Sequence, residues 1–125
     1  MSDCFILLAA GKGKRFKSNT PKQFIIYNNK PLFMHSLDKA IKSNLFKEIL
    51  LVTNNKIKLK NERIKIIKGG KERYKSSLKG LEYIKNKKFN NVFIHDAARP
   101  NFSINLLKNL KKNLTKNKAV VPYLG

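Results

Sequence analysis

Apolar and polar residues alternate along the chain in blocks whose lengths and periods predict strands and helices in turn. Cys4 to Ala10, CFILLAA, is an unbroken apolar run of strand length, as expected for a strand covered on both faces of a parallel sheet. A basic loop follows, then the brief apolar stretch Phe24 to Tyr27, a turn at Asn28, Asn29 and Lys30, and Pro31 as the expected start of a helix. Phe33, Leu37, Ala40 and Ile41 form its buried stripe at i, i+4, i+7 and i+8. Glu48 to Thr53 reads as the next strand, and after a lysine-rich connection so does Ile64 to Ile67, which runs out at Gly69-Gly70. Tyr74, Ser77, Leu78, Leu81 and Ile84 mark a second amphipathic helix, and Asn91 to His95 a further strand. Leu107, Leu110 and Leu114 mark a third helix, and Ala119 to Tyr123 is a last strand. Alternation of this kind predicts an α/β layered fold with a mainly parallel sheet, whose ligands bind at the carboxyl ends of the strands.

Composition narrows the classes. At 125 residues, with 42% hydrophobic content, the chain has the size and apolar content of one domain with its own core. It holds no apolar run long enough for a membrane span and lacks the basic start and apolar stretch of a secretory leader, so a cytoplasmic protein is expected, with no membrane partner. The single cysteine, Cys4, cannot form an internal disulfide or a thiolate zinc site, and inside the first strand it is expected to serve as a small hydrophobe. The net charge of +21 invites a nucleic-acid reading. Lysines are spread over nearly every segment, however, and arginine is scarce, whereas a base-reading surface gathers Arg and aromatic side chains on one face. The charge is therefore read as solvated surface with no specific nucleic-acid partner.

The place of the basic loop gives it chemical meaning. Leu7 to Gln23, LLAAGKGKRFKSNTPKQ, lies at the carboxyl end of the first predicted strand. Phe16 stands where both a dinucleotide-binding G-x-G-x-x-G and a P-loop G-x-x-x-x-G-K-[ST] need glycine, so neither pattern applies. The underlying physics still does: glycines let backbone N–H groups approach phosphate oxygens, and Lys and Arg neutralise their charge. Two more clusters end at the same predicted edge. Gly69-Gly70, with Glu72, Arg73, Ser76 and Ser77, turns into a helix whose N-terminus suits an anion or a polar base edge. His95-Asp96-Ala97-Ala98-Arg99-Pro100 sets a carboxylate just after a buried strand, where it suits either a magnesium ion or a turn cap. Together the three clusters describe a nucleotide-triphosphate site.

In their order and spacing, AAGKGKRF…PKQ, GGKERYKSS and HDAARP closely resemble the 2-C-methyl-D-erythritol 4-phosphate cytidylyltransferases of the non-mevalonate isoprenoid pathway. Ribitol 5-phosphate cytidylyltransferases are the nearest alternative. They tend to carry a bulkier residue where Ala98 stands and an aromatic one at the position of Asn101, so the erythritol reading is preferred. The resemblance implies a Rossmann-like, doubly wound sheet of the nucleotide-diphospho-sugar transferase type, transfer of CMP from CTP to a phosphorylated polyol with release of pyrophosphate, and Mg²⁺ as divalent cofactor. Arg15 and Lys22, at signature positions, would stabilise the transition state; backbone at Ala9, Ala10, Gly11 and Gly13 would hold the triphosphate; Gly70, Arg73, Ser76 and Ala97 would line the cytidine side; Asp96 would hold Mg²⁺. The attacking phosphate oxygen is already anionic, so the chemistry needs positioning and fixed positive charge and no general base.

Plainer readings are kept for the neighbours. Lys12, Lys14 and Lys17 are expected to be solvated, His35 and His95 to pack or hydrogen-bond, with His95 positioning Asp96, and Tyr74 and Tyr83 to lie in or at the boundary of the core. The resemblance spans residues 1–125 as one nucleotidyltransferase domain but reaches only about the first half of the family's domain. Polyol-phosphate contacts, a further aspartate and lysine, and the arm that makes the full-length family dimeric belong to the other half. An N-terminal, CTP-binding portion is thus expected, with an exposed sheet edge and with its own oligomeric state open. A related sugar-phosphate nucleotidyltransferase and a non-catalytic polyanion-binding module are the other readings.

Overall fold

Successive side chains of the first strand, β1 (Asp3–Ala9), enter two different apolar clusters, and this alternation divides the molecule into three layers. The computed structural model describes residues 3–10, 22–97, 102–114 and 123–124. After β1 come a short 3-10 helix (Lys22–Phe24), β2 (Ile26–Tyr27), β3 (Lys30–Pro31), α1 (Leu32–Ser43), β4 (Glu48–Thr53) and β5 (Ile64–Ile67). The chain continues with α2 (Arg73–Ile84), β6 (Asn91–Asp96), α3 (Ile104–Leu114) and β7 (Tyr123–Leu124). Five strands make one sheet in the order β5-β4-β1-β6-β7, and every pair is parallel. The chain leaves β1 toward β4 and β5, then returns past β1 to β6 and β7. The strand order therefore reverses beside β1, the place where open α/β sheets bind ligands.

Phe5, Leu7 and Ala9 meet Phe33, Leu37 and Ala40 of α1 and Leu107 of α3 on one face. Cys4, Ile6 and Leu8 meet Ile84 and Leu81 of α2 on the other. Helices on both faces make the sheet doubly wound, as the resemblance implies. Phe46 closes the first cluster, with ring centroids 4.9 Å from Phe5 and 5.3 Å from Phe93. Burial among these layers, with a lesser contribution from Glu48, pushes the Cys4 thiol up to about 12, so it is the small inert hydrophobe expected.

Three expectations change. Pro31 ends β3 and caps α1 instead of opening it, because Asn28 and Asn29 adopt positive φ of 49° and 69° and fold the preceding residues into a two-stranded hairpin. A contact between the His35 ring and the Tyr27 carbonyl fastens that hairpin to α1, as does the Lys30–Asp38 ion pair. Next, the buried face of α2 is Ser76, Gly80 and Ile84, while Tyr74 and Leu78 are exposed. The reason is close packing: a Cβ at Gly80 would lie 3.1 Å from Ile6 Cγ2, so the first turns of α2 face the sheet with the small residues Ser76 and Gly80, and large ones follow only at Leu81 and Ile84. Tyr74 and Tyr83 thereby fall on the exposed side of α2 instead of the core or its boundary, with Lys87 Nζ 4.4 Å from the Tyr83 ring. Last, β7 is placed at Tyr123–Leu124; most of the expected strand from Ala119, and the side chains of β7, lie outside the described residues.

The amino edge of the sheet is closed by charge. Asp3, 1% exposed, accepts a hydrogen bond from Asn91 Nδ2 at 3.2 Å and has Lys111 Nζ 3.0 Å from its other oxygen. Beside it Lys87 Nζ reaches Glu48 at 3.2 Å. Among the described residues no helix is long and apolar enough to cross a membrane.

Candidate nucleotide site

The carboxyl edge is built differently, from strand ends and backbone. β1 finishes at Ala9 and Ala10, both buried, with Ala9 opposite Thr53 of β4 and Leu8 opposite Asp96 of β6. Because the strands are parallel, the segments that follow β1, β5 and β6 emerge on one side. Gly69 presses directly on the end of β1: a Cβ there would come within 2.3 Å of Ala10 Cβ and 2.8 Å of Ser76 Oγ. Only glycine allows that approach. The turn is then pinned by backbone, with Gly69 N–H donating to the Thr53 carbonyl at 3.3 Å, and by a side chain, with Gly70 N–H donating to Ser76 Oγ at 3.1 Å. On the other side of β1, Ala97 N–H donates to the Leu8 carbonyl at 2.8 Å, which extends the β1/β6 ladder one residue past the strand.

Of the residues expected at the site, Ala9, Ala10, Gly70, Ser76, Asp96 and Ala97 are gathered at this edge. Ser76 is 2% exposed and its hydroxyl faces the glycine turn, so it shapes the turn from beneath. Asp96 is half-buried at the last position of β6. Gly11, Gly13 and Arg15, with Ala98 and Asn101, lie outside the described residues; Lys22 opens the 3-10 helix and Arg73 opens α2, and their side chains lie outside them too. His95 is 1% exposed and packs edge-on to Phe102, centroids 4.6 Å apart, while Phe102 also carries Lys39 Nζ at 5.1 Å from its ring. Burial holds the Lys39 ammonium below the usual lysine range.

Two residues matter here that were given no role in the site, although Gln23 closes the PKQ stretch of the resemblance. Gln23, 5% exposed, donates its side-chain amide to the Ala9 carbonyl at 3.1 Å, which ties the segment after the basic loop back to the strand before it. Asn54, just past β4, donates one side-chain nitrogen to the carbonyls of Ala10 at 3.1 Å and Gly70 at 3.2 Å. The sole sequence signal for Asn54 is its position after a buried strand.

Comparison with known proteins decides the family. The family description IspD: 2-C-methyl-D-erythritol 4-phosphate cytidylyltransferase matches residues 4–125. The chain belongs to that family.

Its similarity to an IspD/IspF bifunctional enzyme of Pelagibacter ubique (strain HTCC1062) is 50% identity over 129 residues, covering 99% of this chain and 35% of that protein. A 2-C-methyl-D-erythritol 4-phosphate cytidylyltransferase of Lachnoclostridium phytofermentans is 37% identical, with 93% of this chain and 53% of the relative covered. Among solved structures, the IspD of Francisella tularensis superposes with a TM-score of 0.75 at 32% identity, over 95% of this chain and 54% of that one. The chain thus spans about a third to a half of these IspD relatives, and its three-layer sheet is the IspD fold over that length.

Proposed function

We propose that the chain holds CTP at the carboxyl edge of its sheet, as the nucleotide-binding portion of an enzyme that transfers CMP to 2-C-methyl-D-erythritol 4-phosphate in isoprenoid precursor synthesis. The observation that carries this reading is the convergence of three segments on one edge. The end of β1 at Ala10, the glycine turn at Gly69-Gly70 and the Asp96-Ala97 strand end are separated in sequence and joined there, the turn by the hydrogen bonds of Thr53, Asn54 and Ser76 and the strand end by that of Ala97 to Leu8, in a chain of the IspD family. Residues 1–125 act as one unit in this reading, and the location is cytoplasmic.

A phosphate oxygen of the acceptor attacks the α-phosphorus of CTP, a new P–O–P linkage forms, and the bond to the bridging oxygen breaks so that its electron pair leaves with pyrophosphate. Both reactants are anions. Backbone N–H groups at Ala9, Ala10, Gly11 and Gly13 hold the triphosphate, and Arg15 and Lys22 neutralise the charge that grows on the five-coordinate phosphorus. Gly70, Arg73 and Ala97 line the cytidine side, with Ser76 supporting the turn. The residues present fit Mg²⁺ as such enzymes hold it. Among the described residues no group of three or more His, Cys, Asp or Glu is placed to hold a metal, and Mg²⁺ is commonly held by one or two carboxylates with substrate phosphates completing its shell. Asp96 is the carboxylate for that role. Held there, Mg²⁺ would supply neutralisation of phosphate charge.

The test is pyrophosphate release from CTP and Mg²⁺ with 2-C-methyl-D-erythritol 4-phosphate or ribitol 5-phosphate, beside a CTP titration. Saturable CTP binding and preference for the erythritol phosphate are expected. Preference for ribitol 5-phosphate overturns the acceptor, and tight, salt-sensitive RNA binding without CTP binding overturns the enzyme reading in favour of a polyanion-binding module.

A further inference from the structure

Two carbonyls at the carboxyl edge belong to segments distant in sequence, Ala10 before the basic loop and Gly70 in the glycine turn, and a single nitrogen, Asn54 Nδ2, lies 3.1 Å from one and 3.2 Å from the other. A primary amide has two N–H donors on one atom, so both bonds form at once. Aspartate offers no donor when ionised, and serine offers one. We infer that Asn54 is a positioning residue that couples the end of β1, at Ala10, to the glycine turn, so that the two segments stand in register before a nucleotide arrives. The inference rests on the nucleotide reading of this edge.

The surroundings support coupling more than bulk stability. Asn54 is exposed, so its removal opens no cavity in either apolar cluster. Its own backbone is well anchored, because it directly follows Thr53, whose carbonyl takes the Gly69 N–H and whose hydroxyl accepts from Asn55 N–H at 3.2 Å. On the far side of the turn Ser76 grips Gly70 from α2. The turn is thus held from beneath by Ser76 and Thr53, and Asn54 fastens it sideways to Ala10. Loss of that fastening leaves the turn formed but free to shift relative to Ala10 and the end of β1.

The experiment compares the wild-type chain with Asn54→Ala and Asn54→Asp by Mg²⁺-CTP affinity and by amide hydrogen exchange without ligand. Asn54→Ala is expected to weaken CTP binding about tenfold, the loss of two neutral hydrogen bonds, and to speed exchange of the Gly69 and Gly70 amides by a similar factor, leaving β1 and β6 amides unchanged. Asn54→Asp supplies a readout that a general structural role would not move. At pH 7.5 its carboxylate faces two carbonyl oxygens and binding falls below that of Asn54→Ala; at pH 5 facing those carbonyls favours the protonated form, which donates again, and affinity relative to wild type at the same pH recovers above that of Asn54→Ala. Exchange at Gly69 and Gly70 within twofold of wild type in Asn54→Ala overturns the inference, as does an Asn54→Asp variant that tracks Asn54→Ala at both pH values. If the wild-type chain does not bind CTP, the nucleotide reading fails, and the exchange measurement alone still decides whether Asn54 couples the two segments.

Discussion

At the amino edge of the sheet the closing contacts are ionic: Lys111 lies 3.0 Å from the buried Asp3 carboxylate, and Lys87 3.2 Å from Glu48. At the carboxyl edge Gln23, Asn54 and Ser76 instead bond side-chain amides and a hydroxyl to backbone groups. Both edges belong to the same three strands, β4, β1 and β6, so the contrast is not one of local burial or strand propensity. Ion pairs suit an edge that has only to stay closed. An edge that receives a polyanion gains from neutral fastenings, because a lysine or arginine already committed to a carboxylate would have to surrender it to bind a phosphate.

The strongest way to break this comparison is to remove the cations proposed to act on the triphosphate. Arg15→Ala and Lys22→Ala are each expected to lower turnover by 10²- to 10³-fold, about 2.7–4 kcal/mol, if each acts as a preorganised charge. Urea midpoints should stay at the wild-type value, and a clear fall in stability would mean that the carboxyl edge, too, is held by ions. Lys111→Met inverts the experiment. It leaves the buried Asp3 carboxylate without its cation and should cost about 3 kcal/mol in urea unfolding while CTP affinity stays constant. A smaller effect comes from Gly69→Ala. Its Cβ would meet Ala10 Cβ at 2.3 Å, so the turn must move off β1, with about 1–3 kcal/mol of overpacking and a parallel loss of CTP affinity.

The smallest effect concerns Cys4, which lies in the core between the edges. Well below the unfolded value of 9.0 its thiol is protonated in both folded and unfolded chains and adds no pH dependence. Above that the unfolded chain releases the proton while the folded chain, with a pKa of about 12, keeps it, so stability falls as pH rises. The loss is at most about 1.4 kcal/mol per pH unit. Urea unfolding of wild type against Cys4→Ala between pH 8.5 and 10.5 should show the extra decline in wild type alone.

The fold was legible wherever burial on two faces made a run wholly apolar. β1, β4 and β6 fall within one residue of their expected bounds, and the site edge followed from their parallel order. The face of α2 was misjudged for a physical reason: close packing over Ile6 selects Ser76 and Gly80, and a search for large apolar residues finds the exposed Tyr74 and Leu78 instead. The Asn28-Asn29 hairpin was legible as a turn, but its two-residue strands carry too little pattern to be seen. At the site, glycines and charged residues at strand ends announced themselves. Gln23 was marked by its place in PKQ but not by its role, and Asn54 was not marked at all, because a neutral amide that serves backbone carbonyls has no characteristic spacing and gains its meaning only when distant strand ends are brought together.

Amide chemical shifts of the chain during a titration with Mg²⁺-CTP test the central claim most directly. Perturbations centred on Ala9, Ala10, Gly11, Gly13, Gly69, Gly70, Arg73, Asp96 and Ala97, with the Asp3–Lys111 and Glu48–Lys87 edge unmoved, are the predicted result. Shifts centred on Lys47, Lys87 and Lys88 at the amino edge, or spread evenly over the lysine-bearing surface, would contradict it.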